Sequence, residues 1–419
     1  MADGSERRQA ANAAAFARLC AATPVLRDLR PAIDVVPGLR REVILTSGPA
    51  MAWSDYVGGQ REAIIGGALF EGLAETRAEA DAKLTAGEIQ VAGCQDYACV
   101  GSLAGIYTAS MPVFVVENTA GGNVAFCNMY EGTDPRRLNY GVYDEGVRER
   151  LLFVNEVVAP VIGEAVRGIG GVPLKAIMTR ALHMSDELHS RNTAAALLFM
   201  RELVPQYIDM ATTARDAVQK AIAAITEDHY FFLRLSMAAA KATADAGHGV
   251  EGASMVSAMA FNCRNFAVRV SGLGDQWFTG PHATVEAKLF DGHGEDEIAW
   301  MGGESTITET VGLGGFAQAA AFPLQAYQGG SAEAMVARNR ELYKIVVGEN
   351  PHYRIPFLGY RGTPTGIDIF RVAETGIRPV MDIGIAGRDG GQIGAGIVRA
   401  PMDCFEAARR AYLARYGAG

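Results

Sequence analysis

The stretch Glu42-Val-Ile-Leu-Thr-Ser-Gly-Pro-Ala-Met51 decides how this chain is read. Its first half is a short apolar run with β-branched residues and reads as a strand, and Ser47-Gly-Pro-Ala-Met51 is a turn signal. Residues 59–84 then read as helix. Strand, glycine turn and helix in succession predict an α/β unit. Val113-Phe-Val-Val116 has the length and apolar character of a buried strand. Upstream, residues 5–22 are rich in Ala, Arg and Leu and read as a helix that Pro24 ends.

Past Tyr143 the texture changes. Leu151, Leu152, Val154, Val157, Val158, Val161 and Ile162 recur at three- to four-residue spacing, and the pattern stays helical to about residue 246. Gly168-Ile-Gly-Gly171, Pro205 and Gly247-His-Gly249 punctuate it. From about residue 250 alternation of apolar and polar residues returns at 266–271 and 284–288. A helix near 332–346, strands near 367–372 and 379–385 and a helix after Pro401 complete the reading. The expected fold is mixed α/β (α+β): an α/β domain over 1–144, a mostly helical domain over 145–249 and a second α/β domain over 250–419.

Composition narrows the function. The chain has 419 residues and a formal net charge of −9, which opposes non-specific nucleic-acid binding. No apolar run approaches the roughly 18 residues of a membrane span, and the N-terminal residues lack the apolar core of a signal peptide. The six cysteines are too dispersed for a disulfide framework, and Cys94 and Cys99 have no second pair downstream to complete a zinc site. The expectation is a cytoplasmic protein with reduced thiols, without metal or cofactor, without nucleic-acid or membrane partners, and assembling as a homo-oligomer.

The most chemically loaded segment is His183-Met-Ser-Asp-Glu-Leu-His-Ser-Arg-Asn192. If one helix spans it, with Ser185 available as its N-cap, His183, Glu187 and Arg191 share a face, and Asp186 and His189 share a neighbouring one. A histidine or carboxylate moves protons near neutral pH, and a guanidinium forks onto carboxylate or phosphate. The competing reading is a solvated helix with i,i+4 ion pairs. The run is not the zincin pattern His-Glu-x-x-His.

Four glycine-bearing stretches accompany it. Met301-Gly-Gly-Glu-Ser-Thr-Ile-Thr-Glu-Thr-Val-Gly-Leu-Gly-Gly-Phe316 carries Glu304, Ser305, Thr306 and Glu309 and ends in a glycine turn before an Ala-rich, helical stretch. Backbone N–H groups of such a turn can hold an anion. No P-loop lysine follows it. Val91–Gly105 reads as a tight packing turn, Gly390-Gly-Gln-Ile-Gly-Ala-Gly396 as a phosphate-cradling loop or a plain turn, and Gly362–Asp368 as a turn. No Gly-x-Ser-x-Gly elbow supports a serine hydrolase.

In order, Gly101–Pro112, His183–Asn192, Ile307–Phe316, Gly362–Asp368 and Gln392–Gly396 resemble one family: the AllG/YlbE-type subunit of bacterial oxamate carbamoyltransferase, with its YahG-like relatives. The matching blocks span about residues 42 to 405. The chain departs from the family pattern at Gln95-Asp-Tyr97, where a His-richer stretch is expected, and at Leu138-Asn-Tyr-Gly141, where Leu-Arg-Phe-Gly is expected.

The resemblance implies a transferase subunit in purine-derived nitrogen catabolism, such as allantoin degradation, splitting oxalurate with phosphate as co-substrate into oxamate and carbamoyl phosphate. It also implies partner subunits, one of them resembling a succinyl-CoA synthetase. For that chemistry His183 or His189 is a candidate acid, oriented by Asp186 or Glu187. Arg191 and the Gly312–Gly315 backbone, including Gly314 and Gly315, are candidate anion holders. Asn192, Ser305 and Thr306 are candidate oxyanion donors, and Glu304, Glu309, Gln392 and Gly394 complete the substrate-binding set. Two alternatives stand: an amidohydrolase or ring-opening enzyme for a related ureido or amide compound, and a non-catalytic subunit of such a complex.

Overall fold

The computed structural model describes residues 4–417, and the fold is mixed α/β. The unit that begins at Glu42 forms as the sequence implies. Strand β2 (Val43–Thr46) is completely buried, and after two helices (Gly58–Phe70 and Arg77–Ala86) the chain returns as β3 (Gln90–Gly93), parallel to β2. Thr76 caps the second helix by accepting from Glu79 N, and Gly87 ends it in a left-handed conformation.

Beside this unit lies a five-stranded sheet ordered β4-β6-β5-β1-β7, where β1 is Pro24–Pro31, β4 Cys99–Val100, β5 Pro112–Asn118, β6 Val124–Asn128 and β7 Val172–Pro173. Only its β4–β6 pair is parallel. The helix Phe231–Ala246 packs on this sheet, and every residue from Phe231 to Ala244 is buried. A helix apolar on nearly all sides has no solvated face to offer and becomes the centre of a core. Arg234, Ser236 and Lys241 are carried into the interior with it.

The region from Glu145 to Ala246 is predominantly helical. Pro205 does not end a helix as the punctuation implied. It is accommodated within Thr193–Thr226, and the backbone leaves helical geometry at Ala214 (φ −134°, ψ 40°). Among the described residues no helix is long and apolar enough to cross a membrane.

The remaining strands are antiparallel. β8 (Val256–Phe261), β9 (Phe266–Val270) and β10 (Trp277–Gly280) form one sheet. β11 (Thr284–Leu289) and β12 (Ile298–Ala299) flank a hairpin of β15 (Val380–Gly387) and β16 (Gln392–Arg399). β13 (Val346–Ile355) pairs with β14 (Arg361–Ile367).

Four expectations change here. Gly362–Ile367, read as turn, is buried strand, and the strand placed near 367–372 is mostly the helix Ile369–Thr375, capped by the Asp368 carboxylate on Phe370 N. Gly390 and Gly391 form a hairpin turn, and Gly394 and Gly396 lie within β16 against β11, with no loop left to cradle a phosphate. The Ala-rich stretch after Gly315 forms only two short 3-10 turns, Gly314–Phe316 and Gln318–Ala320.

Candidate active site

His183–Asn192 is a loop, not a helix. The preceding helix ends at Leu182, the next begins at Thr193, and Ser185 and Leu188 have positive φ (70° and 72°). The charged side chains that looked like helix ion pairs are the reason. Glu187 is fully buried and bends back to accept from the backbone N–H groups of His189 (3.1 Å), Ser190 and Arg191 (2.9 Å). These donors would otherwise enter helical hydrogen bonds.

Asp186 is also buried, and its Oδ2 accepts from Ala195 N at 2.8 Å in the first turn of the next helix. Burial pushes the Asp186 carboxyl up to about 6, against the pull of Ala195 N–H and Arg191. Arg191 donates from Nε to Ser185 O at 2.9 Å, and Asn192 donates from Nδ2 to His189 O at 2.7 Å. Four of the nominated residues therefore build the loop.

The loop presents His189. Its Nδ1 lies 2.8 Å from Oε1 of Glu309, a carboxylate on the short helix Ile307–Thr310. With Glu309 as the acceptor, Nδ1–H donates, which leaves Nε2 as the ring atom that can exchange a proton. Both side chains are buried. Burial lowers the imidazole pKa, but the charges of Glu309 and Asp382 and the hydrogen bond to Glu309 more than offset this, and the net shift is upward.

Glu309 is itself held. Its Oε1 accepts from Gly315 N (2.9 Å) and Asp382 N (3.0 Å), and its Oε2 accepts from Thr308 Oγ1 (2.9 Å). Behind it Asp382 accepts from Gln318 and Gln328, and Gln328 also donates to Ser190 Oγ. Burial and the neighbouring Glu309 charge push the Asp382 carboxyl up to about 6.

The glycine turn serves this arrangement and not an anion. Gly312 N donates to Glu309 O, Leu313 N to Thr308 O, Gly314 N to Glu187 O and Gly315 N to Glu309 Oε1. All four N–H groups are engaged. Gly314 has φ +54°, and a Cβ there would stand 2.0 Å from Glu309 Oε1 and 3.0 Å from His189 Cβ. Gly314→Ala should therefore destabilise the fold by about 1–3 kcal/mol and displace Glu309 from the imidazole. A lowered Tm together with reduced activity checks this.

His189 borders a narrow cleft, partly open to solvent. Ser190, Ser305, Ser102 and Gln392 supply hydroxyl and amide groups along its wall, with Tyr130, Tyr140, Tyr230 and Trp300 among its aromatic residues. Such a mixture of apolar wall and few convergent polar groups suits a small ligand.

Of the other candidate residues, Ser305 and Gln392 line the cleft and the rest are dispersed. His183 is an exposed helix C-cap whose ring meets Tyr360 edge-on at 5.4 Å, outside this cleft. Arg191 and Asn192 line a neighbouring cavity. Thr306 donates to Met259 O. Glu304 is buried between two turns, accepting from Gly48 N and Gly101 N at 3.0 Å each, and burial raises its carboxyl to about 8 against those two bonds. Gln392 donates to Tyr327 Oη (2.5 Å) and Gly394 O (3.0 Å), and Gly394 packs on β11.

Asp382 and the tyrosines were not legible as site residues. Asp382 sits in an ordinary strand, and Tyr130, Tyr140 and Tyr230 lie outside the motifs that stand out in the sequence. Arg234 did carry a signal: it interrupts the apolar run Phe231-Phe-Leu-Arg-Leu-Ser-Met237. Among the described residues no group of three or more His, Cys, Asp or Glu is arranged to hold a metal ion.

Similarity to known proteins agrees with this architecture. A family model described as oxamate carbamoyltransferase subunit AllG matches residues 89–305. The oxamate carbamoyltransferase subunit AllG of Escherichia coli K12 is 39% identical over 98% of this chain and 98% of its own length. The protein YahG of the same organism is 39% identical over 99% of this chain and 88% of its own. A crystal structure of a conserved protein of unknown function from Enterococcus faecalis V583 superposes with a TM-score of 0.95 at 35% identity, covering 99% of both chains. With half the chain matched by the family model and near-complete coverage by both relatives, this chain belongs to the AllG family.

Proposed function

We propose that this chain is a subunit of a carbamoyl-transferring complex that cleaves a ureido acid with phosphate, as in oxalurate plus phosphate giving oxamate and carbamoyl phosphate. The observation that supports this reading is the buried His189–Glu309 pair at the edge of a cleft lined by aromatic rings and a few hydroxyl and amide groups. A phosphate oxygen attacks the ureido carbonyl carbon, and the bond to the amide nitrogen breaks. His189 enters as the imidazolium favoured by its raised pKa and gives the Nε2 proton to the leaving nitrogen. The proton of the attacking hydrogen phosphate returns the ring to its starting state. The Glu309 carboxylate steadies the imidazolium through Nδ1, as a carboxylate does for a catalytic histidine. Partner subunits, one of them resembling a succinyl-CoA synthetase, complete the complex.

Phosphorus NMR tests the reading. The chain, assembled with its partner subunits and given oxalurate and phosphate, should produce carbamoyl phosphate in step with oxamate. Oxalurate consumed without phosphate dependence would replace this reading with hydrolysis. No consumption in the assembled complex would refute both.

A further inference from the structure

We propose that Arg137 and Arg234 are the anion-recognition element of the cleft, taking the carboxylate or phosphate of a small substrate beside Tyr130. The inference rests on the functional reading only in placing the substrate in this cleft.

Both guanidinium groups are buried, with Arg234 1% and Arg137 7% exposed. A buried cation is costly unless an anion and a full set of hydrogen bonds compensate it. Arg234 donates from Nη1 to Asn128 Oδ1 at 3.0 Å, while its Nε and Nη2 are buried without partners. Arg137 donates from Nη1 to Gly132 O at 3.0 Å, and its Nε is likewise unpartnered. Neither forms a salt bridge with a described carboxylate.

The two charges converge on the aromatic wall. Arg234 Cζ lies 3.6 Å from the Tyr130 ring centroid, and Arg137 Cζ lies 5.1 Å from those of Tyr130 and Tyr140. Both tyrosines line the cleft that His189 borders, as does Leu233, the neighbour of Arg234, and the two guanidinium groups lie behind this wall, not on the cleft surface. Two acids lie nearby, and neither forms an ion pair with the guanidinium groups, although Glu131 Oε2 is buried without a hydrogen-bond partner. Glu131 Oε1 accepts from Asn139 N and Nδ2, and Asp228 Oδ1 accepts from Tyr230 N. Burial raises both carboxyls, which weakens them as countercharges. An anion that displaces the Tyr130 ring from Arg234 would reach the unpartnered guanidinium nitrogens from the cleft. A forked guanidinium suits carboxylate and phosphate alike.

Calorimetric titration decides the matter with three probes: oxamate, its neutral counterpart oxamide, and inorganic phosphate. The wild-type chain should bind oxamate at least tenfold more tightly than oxamide if the pair takes the substrate carboxylate. A comparable preference for phosphate alone assigns the pair to the phosphate. Arg137→Met should abolish the preference while leaving oxamide binding unchanged. If that variant does not fold, Arg137→Lys, which keeps the charge and loses the fork, should weaken anion binding several-fold. Absence of anion binding by the wild-type chain, or a preference unchanged in a folded Arg137 variant, overturns the proposal. Anion binding without turnover would refute carbamoyl transfer and leave this site standing.

Discussion

Replacing Glu309 by glutamine should lower turnover of the assembled complex by about 10²–10⁴-fold while leaving the chain folded. The carboxylate does two things for His189. It accepts the Nδ1 proton, which fixes the ring orientation, and its charge favours the imidazolium. A glutamine can satisfy the first by turning its carbonyl to Nδ1, but it supplies no charge.

The pH profile follows from the sign. His189 acts from its protonated form, so activity is lost as pH rises through its pKa. Without Glu309, the largest opposing influence on the desolvated ring is gone, and that limb should move to lower pH. His189→Ala should be at least as severe, whereas His183→Ala should leave turnover within a factor of about two, as expected for an exposed residue outside the cleft. Rates measured from pH 5 to 9 with circular dichroism as a folding control distinguish these outcomes. Equal losses in His183→Ala and His189→Ala would sink the assignment.

The contrast between the two histidines shows what was legible in the sequence. Periodicity identified the α/β unit at Glu42 and the helical stretch from Glu145, because apolar spacing is a local property of the chain. The loaded run His183–Asn192 was visible as a cluster of ionisable groups, but its geometry was not. Local spacing implied that His183, Glu187 and Arg191 share a helical face. In the fold, Glu187 takes three backbone N–H groups and Asp186 caps a different helix, which leaves no helix for that face to lie on. Glu309 was nominated for its place in a glycine-rich motif, while its pairing with His189, 120 positions away, arises only from tertiary structure. The glycine turn carried the same ambiguity: its N–H groups are anion-binding in isolation and fully engaged in context. Arg137 and Arg234 offered charge without any sign of burial beyond the apolar neighbours of Arg234.

Glu187→Ala should be the most destabilising single change in the site loop, on the order of 3–5 kcal/mol. It removes the acceptor for three backbone N–H groups, of which that of His189 is buried and those of Ser190 and Arg191 partly buried, where water replaces a lost partner poorly. The loop also carries Leu188 and Ser185 at positive φ, conformations that persist only where surrounding contacts enforce them.

Glu187→Gln separates charge from acceptor count. Burial and the Asp382 charge push the Glu187 carboxyl up, while the three donors favour the ionised form. Glutamine keeps one acceptor oxygen and turns an NH₂ toward donors. A loss close to that of alanine would mean that the ionised carboxylate organises the loop, and near-wild-type stability would mean that the neutral form suffices. Denaturant titration gives the difference directly, with a shift in midpoint at unchanged slope as the expected form. Because Glu187 O also accepts from Gly314 N, collapse of the loop should release the glycine turn and with it the His189–Glu309 contact. Turnover should therefore fall in the alanine variant even under conditions where it remains folded, and retention of wild-type turnover in a destabilised Glu187→Ala chain would show that the loop does not position His189.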